Sequence, residues 1–422
     1  MECIISIVID GRRKKRNNKY PVKLRVYSIQ SRKARFYPIN MDMSLQEFDS
    51  TWNTKKPREE FKGKRNDLME ELKRAEDKAK GITPFNFDLF EEKIYRKHGD
   101  GVNVFYHYQK TISNLEKNNQ FNTATVYKNT QKSILEFVKH NSDRDITFFP
   151  FSEITAQWLQ DYENYMLDHL DENSKHIRRS QTTISMYLRT LRTLFISATE
   201  SGEIPKEIYP FGKGKYQIPN VRNIKKALTE EQLKKLFKAK PTNEEQKRAR
   251  DFWLFSYACN GMNIKDIAQF RYSDIYDDKL VFYRAKTIRT AKQDLQPTVV
   301  YLTKLSQNII EKYGNKDKSP ESYIFPIIEN SMSPFERNRA IKNFTRFINQ
   351  HIQKLAKTID LPEDLTTYWA RHSFSTMAIR KGASIEFVGE ALSHKDPKTT
   401  LRYFAGFDDE NKRNMMKKLV KL

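Results

Sequence analysis

Residues 365–404 read LTTYWARHSFSTMAIRKGASIEFVGEALSHKDPKTTLRYF. Over 367–381 the apolar positions Ala370, Phe374, Met377 and Ala378 recur at helical spacing, which predicts a helix with one buried stripe. Tyr368, Arg371 and Ser375 stand at i, i+3 and i+7 on the opposite side, so a phenol and a guanidinium point together into one polar site. His394 follows on a short loop after a second helix. Tyr403 comes nine residues later, beyond Pro397.

The rest of the chain supplies a setting for that cluster. The 422 residues carry 76 Lys+Arg against 53 Asp+Glu, a net charge of +23. Such a surplus favours a polyanionic partner, nucleic acid ahead of an acidic membrane surface. No apolar run approaches the roughly 20 residues of a membrane span. The opening MECIISIVID places its apolar stretch before its positive charges, the reverse of a secretory signal. Cys3 and Cys259 are too few for a disulfide framework or a zinc site. A soluble chain of a reducing compartment is expected, with Cys259, Trp158 and Phe255 as core residues.

Residues 11–35 contain eleven Lys/Arg and no acid. Val22, Leu24 and Val26 alternate with Lys23, Arg25 and Tyr27, a period of two that predicts strands. A small basic sheet that neutralises phosphates is the expectation, with Arg12, Arg13, Lys14, Lys15, Arg16 and Lys19 as candidate DNA contacts. Residues 44–80 turn helical and highly charged, punctuated by Gly81 and Pro84.

Residues 103–205 read as all-helical. Ile184, Tyr187, Leu188, Leu191, Leu194, Phe195 and Ala198 form one amphipathic stripe. Arg189 and Arg192 fall off it, and Arg178 and Arg179 precede it, which gives the bundle a basic side. Residues 209–225, with Pro210, Gly212, Gly214 and Pro219, show no periodicity and read as a linker. Thr229 with Gln232 three positions on marks a capped helix start. Short strands, KLVFYRAKT and PTVVYLT, then precede the closing helices. The expected class is mainly α with small β-sheets (α+β). The expected domains are 1–100, a basic β-rich unit; 101–208, a helical bundle; and 226–422, a mixed α/β domain.

The ordered set resembles the tyrosine recombinases, the integrase family of phages and mobile elements. The stretches that carry the likeness are Tyr368-Trp369-Ala370-Arg371-His372-Ser373, Ala391-Leu392-Ser393-His394 and Thr399-Thr400-Leu401-Arg402-Tyr403. The family pattern is His-x-x-Arg, Leu-Gly-His and Thr-Thr-x-x-Tyr, preceded by a first-box arginine and a hairpin lysine. The resemblance covers nearly the whole chain. It implies an arm-site DNA-binding domain, a SAM-like core-binding domain and a catalytic domain, acting without cofactor or metal. It also implies four protomers on two DNA duplexes, integration or excision of a mobile element, and action on the bacterial nucleoid in the cytoplasm. An accessory DNA-bending factor belongs to that picture, and a membrane does not.

In that reading Tyr403 attacks the scissile phosphate, forms a 3′-phosphotyrosyl link and frees a 5′-hydroxyl. The transition state spreads negative charge over non-bridging oxygens, and a guanidinium fork matches it while keeping its proton. Arg371 is the candidate clamp. Lys286 on the hairpin is the candidate acid for the leaving oxygen. His394 is expected to hydrogen-bond the phosphate or assist Tyr403.

Two positions depart from the family pattern. The first box reads Asn260-Gly261-Met262-Asn263, so Asn263 stands where the arginine belongs. Arg284, two residues before Lys286 and on the same side of an extended strand, is the candidate substitute, ahead of Arg289. Tyr368 stands where histidine is common; a phenol with a pKa near ~10 is a poor base at neutral pH, although it can hydrogen-bond a phosphate, and His372 offers a second imidazole about 100° round the helix. The missing arginine and Tyr-x-Ala-Arg-His-Ser resemble integrases of Bacteroidetes mobile elements. A DNA invertase of the same chemistry, or a DNA-binding protein with a decayed site, are the alternatives.

Overall fold

The computed structural model describes residues 2–15, 18–94, 99–141, 146–170, 176–220, 226–284, 296–394, 396–401, 403–404, 406–407 and 409–420. Arg16, Lys286 and Arg289 lie outside these residues. The described residues are mostly helical, with three small antiparallel sheets among them. It divides into two compact units. One comprises Met1–Gln109, Val138–Gln160 and Arg192–Tyr216; the other Lys110–Phe137, Asp161–Leu191 and Gln217–Leu422.

In the first unit, β1 (Cys3–Ile9), β2 (Tyr20–Ser28) and β3 (Lys33–Met43) form a sheet in that order. Val22, Leu24 and Val26 of β2 are fully buried on one face. Their core includes Leu68 and Ala75 of the Glu59–Lys80 helix and Phe90. The period-two reading of β2 therefore holds, because its buried side chains all line one face of the sheet while those between them are half-buried. On the other face Arg25 pairs in register with Ser6 and Phe36, and Tyr27 with Ile4 and Ala34. Phe36 and Ile4 are exposed there, and the Arg25 guanidinium lies 5.4 Å from the Tyr27 ring centroid.

The basic loop after β1 is partly neutralised by acids. Asp10 accepts from Arg12 at 3.0 Å and from Lys23 at 2.8 Å, and those bonds hold its carboxyl below the ordinary range. Lys15 reaches Asp42 at 2.6 Å and Lys19 reaches Glu47 at 3.6 Å. Arg13 and Lys14 are exposed.

The segment expected to be all-helical contains the helices Val104–Lys117, Phe121–Asn141, Ala156–Leu167 and Gln181–Glu200. It also holds a two-stranded ribbon, β4 (His169–Leu170) with β5 (His176–Ile177), which helical periodicity does not reveal. Ile184, Leu188, Leu191, Leu194, Phe195 and Ala198 are buried as expected, while Tyr187 is half-buried. Arg178, Arg179, Arg189 and Arg192 are exposed, and Arg178 pairs with Asp168 at 3.2 Å. Within the stretch read as a linker, Phe211 and Tyr216 are buried and bridged to each other.

The second unit's largest core surrounds the Glu244–Ala258 helix. Phe252, Trp253 and Phe255 are fully buried on three sides of it, which marks a helix covered all round. Phe252 meets Phe325 and Phe344 at ring distances of 4.9 and 4.8 Å. Phe344 belongs to the long Pro334–Thr358 helix. Cys259 is fully buried, and burial pushes its thiol pKa up. In the first unit Trp158, expected in the core, is only half-buried, against Phe149. A meander of β6 (Ile275–Tyr276), β7 (Lys279–Phe282) and β8 (Thr298–Tyr301) flanks the core of the second unit. The Thr229–Gln232 capping box is present in both directions, at 3.2 and 2.9 Å.

Candidate active site

The helix expected over 367–381 spans Thr367–Arg380. Its ends and middle are tied to the core. Thr367 N donates to Asn349 Oδ1 at 2.9 Å, Trp253 Nε1 to the Thr366 carbonyl at 2.9 Å, and Leu228 N to Ser373 Oγ at 2.9 Å. Of its apolar stripe Ala370 and Met377 are buried while Phe374 and Ala378 are half-buried, and the polar Arg371, His372, Ser373, Ser375 and Thr376 are all inside, with Tyr368 exposed. The backbone carbonyls of Tyr403 and Gly406 bond to side chains of this helix.

Gly261 explains how Arg371 reaches its place. A Cβ at residue 261 would lie 2.5 Å from Arg371 Cα, and the residue has φ +65°. Only glycine allows the first-box turn to come this close to the helix. Arg371 Nη1 donates to the Gly261 carbonyl at 3.2 Å.

Two guanidiniums then converge on one oxygen. Arg371 Nη2 donates to the Leu392 carbonyl at 2.7 Å, and Arg284 Nη1 donates to the same oxygen at 2.8 Å. Arg371 is 3% exposed and Arg284 6%, so both have given up most of their hydration. Asp266, also buried, lies 3.9 Å from Arg284 Nε. Burial first, and the Arg284 charge second, bring the Arg371 pKa down to about 10. Arg371 remains charged at neutral pH. Among the described residues, Asp266 is the carboxylate close to this guanidinium pair, and a dry recess lined by guanidiniums attracts an anion.

Arg284 lies two residues past the last ladder residue of β7, Phe282. The strand is shorter than KLVFYRAKT implies. Arg284 reaches the site from the segment leaving the sheet, and Asn263 instead precedes the short Ile264–Ile267 helix.

His394 sits on the turn after the Ile385–Ala391 helix. Ser393 takes φ +52°, where the family pattern has glycine, and shares a 2.5 Å hydrogen bond with Thr298 of β8. His394 Nε2 lies 3.1 Å from Arg371 Nη2. A guanidinium only donates, so Nε2 accepts and the ring proton is assigned to Nδ1, 3.2 Å from Thr400 Oγ1.

Tyr403 completes the cluster. Its ring lies 5.0 Å from His394, 4.8 Å from His372 and 5.2 Å from the Arg371 guanidinium carbon. Tyr368 donates its hydroxyl proton to the Tyr403 hydroxyl at 3.3 Å. Burial, followed by the bond to Tyr403, raises the Tyr368 pKa above the ordinary phenol value. Tyr368, Arg371, His394, Tyr403 and Arg284 are thus brought together from four segments of the chain. Asp266 escaped sequence reasoning; its only signal was its place in the first box, beside Asn263. His372 is buried, with Nδ1 3.3 Å from the Tyr403 carbonyl.

A helical segment followed by a mixed α/β domain, with buried arginines beside a tyrosine near the carboxyl end, defines an integrase-type protein. The profile of a phage integrase SAM-like domain matches residues 103–218, and that of the phage integrase family matches residues 226–410. A tyrosine recombinase of Thermosipho africanus is 28% identical over 240 residues, 57% of this chain and 76% of that protein. The tyrosine recombinase XerC of Rickettsia prowazekii is 24% identical over 295 residues, 68% of this chain and 88% of its own. Among solved structures, the Tn1549 transposon integrase in complex with a circular intermediate DNA matches with a TM-score of 0.52 at 15% identity, over 76% of this chain and 100% of that one. The chain belongs to the tyrosine recombinases, the phage integrase family, and is a tyrosine-type site-specific recombinase.

Proposed function

We propose that this chain integrates and excises a mobile element by cutting and rejoining double-stranded DNA through Tyr403. The phenolic oxygen of Tyr403 attacks phosphorus and gives up its proton to water, and the bond to the 5′-oxygen breaks. The DNA strand is stored as a 3′-phosphotyrosyl ester. Arg371 and Arg284 hold the non-bridging oxygens, exchanging the Leu392 carbonyl for the phosphate. Arg284 takes the role that Asn263 does not fill. Tyr368 stabilises the developing phenolate, and His394, oriented by Thr400, supports Arg371. Lys286, outside the described residues, is assigned the leaving-group proton from the family resemblance alone.

The observation that carries this reading is the convergence of two buried guanidiniums on one oxygen beside the Tyr403 ring. A protein that only binds DNA has no need to desolvate two arginines beside a tyrosine, since phosphate contacts work at the surface.

The three domains expected from the sequence divide the work. Residues 1–100 bind arm sites through the open face of the sheet, with Arg25 beside Tyr27 and Phe36, and with Arg13 and Lys14 from the loop. Residues 101–208 and 226–422 grip the core site, the former with Arg178, Arg179, Arg189 and Arg192. Four protomers act on two duplexes in the bacterial cytoplasm, with a DNA-bending factor in attendance. No helix of the described residues is long and apolar enough to cross a membrane.

The test is incubation with a nicked suicide duplex made from the joined ends of the element. An adduct that survives denaturant, and is lost in Tyr403→Phe, is the expected result. DNA binding without an adduct would leave the decayed-site alternative. Inverted rather than direct repeats around the gene's target would favour an invertase.

A further inference from the structure

The helix that carries the clamp also holds the nucleophile's backbone. The Tyr403 carbonyl accepts from Ser375 Oγ at 3.2 Å, His372 Nδ1 at 3.3 Å and Thr376 Oγ1 at 3.4 Å. Three residues further on, Arg380 donates from Nε and Nη2 to the Gly406 carbonyl at 2.9 and 2.8 Å. Gly406 has φ +97°, so this fork grips the chain where it turns. All four donors lie on the Thr367–Arg380 helix.

The chemistry assigned above uses none of these four groups. A helix of the catalytic core with buried Ser375, Thr376 and His372 carries polar groups that cost stability unless they are hydrogen-bonded. The Tyr403 carbonyl meets all three. Each bond at 3.2–3.4 Å is long, whereas the arginine fork is short and charge-assisted.

We propose that His372, Ser375, Thr376 and Arg380 are positioning residues that seat the Tyr403 backbone beside the clamp of the same chain. This rests on the reading of Tyr403 as the nucleophile. Pinning the carbonyl at 403 and the turn at 406 fixes the Cα from which the phenol projects. Only two side-chain torsions then remain, and the Arg371, His372 and His394 groups around the ring restrict those. In-line attack tolerates little error, since a misplacement of about 1 Å can cost on the order of a hundredfold in rate. The seat belongs to the helix of Arg371, so hydroxyl and clamp share one rigid frame.

The full chain is assayed on the nicked suicide duplex, with DNA affinity and the single-turnover adduct rate at saturating DNA measured separately. Thr376→Val keeps the side-chain shape and removes the hydroxyl; Arg380→Ala removes the fork. Each is expected to slow adduct formation about tenfold or more while affinity stays within about threefold. The double variant is expected to be slower still, and Thr376→Ser to keep the wild-type rate. Melting curves report folding, and Thr376→Val carries the test if Arg380→Ala does not fold. Wild-type rates at saturating DNA in both single variants overturn the seat. A Thr376→Ser variant as slow as Thr376→Val does so too. No adduct in the wild type, or an adduct persisting in Tyr403→Phe, overturns the nucleophile reading instead.

Discussion

Arg284→Ala is the perturbation on which the mechanism turns. Arg284 is 6% exposed, and its Nη1 shares the Leu392 carbonyl with Arg371. A phosphate replacing that carbonyl would sit within about 5 Å of the guanidinium charge. At an effective dielectric of about 20, one unit charge at that distance contributes about 3 kcal/mol. Removing a single donor from comparable dry sites costs ~3–4 kcal/mol, or about 10²–10³ in rate. The adduct rate at saturating DNA should therefore fall by that factor, with affinity little changed, because phosphates elsewhere hold the duplex. Stability needs a control: the substitution removes the guanidinium 3.9 Å from the buried Asp266 carboxylate, and taking one partner from a buried ion pair is destabilising. Arg284→Ala combined with Asp266→Asn removes that effect and should keep the slow rate. Arg289→Ala serves as the outside comparison. Asn263→Arg in the Arg284→Ala background should recover part of the lost rate if the two positions serve one role. A folded Arg284→Ala protein that cleaves within about threefold of wild type would refute the reasoning.

Three further outcomes are expected. Gly261→Ala should cost ~2–5 kcal/mol in urea unfolding and abolish the adduct, because the new Cβ meets Arg371 Cα at 2.5 Å and the left-handed φ adds its own strain; a wild-type midpoint would show that the turn moves freely. Tyr368→Phe should slow cleavage about tenfold at neutral pH, the worth of one hydrogen bond to a charged group. Its raised pKa keeps Tyr368 a protonated donor across the neutral range, so the deficit should be constant from about pH 6 to 8; a wild-type rate in Tyr368→Phe speaks against the role. Arg25→Ala should lower the salt dependence of arm-site binding by about one phosphate contact, while Arg12→Ala, whose guanidinium is already engaged by Asp10, should change it less; the reverse order would move the interface from the sheet face to the loop.

Much of the site was legible in the linear chain because its parts are local. Helical spacing sets Tyr368 and Arg371 on one side of a single helix whatever surrounds it, and Thr229 with Gln232 specifies a cap within four residues. The alternation of β2 was readable because one of its faces is buried and the other half-buried. The four-residue excursion of β4 and β5 was not, since two-residue strands carry no period.

What the order of residues settled by itself was the inventory: a basic α+β chain, an arginine helix, a histidine turn, a terminal tyrosine, and asparagine in place of the first-box arginine. Folding decided which of these meet. Arg284 joins Arg371 only because the chain leaving β7 passes the Leu392 carbonyl, a meeting across more than a hundred residues that no periodicity encodes. The polar face of the Thr367–Arg380 helix was readable as a site, but local spacing cannot register that the Tyr403 and Gly406 carbonyls return to bond it. Long-range packing and hydrogen bonding, rather than local propensity, fix the distance between nucleophile and clamp.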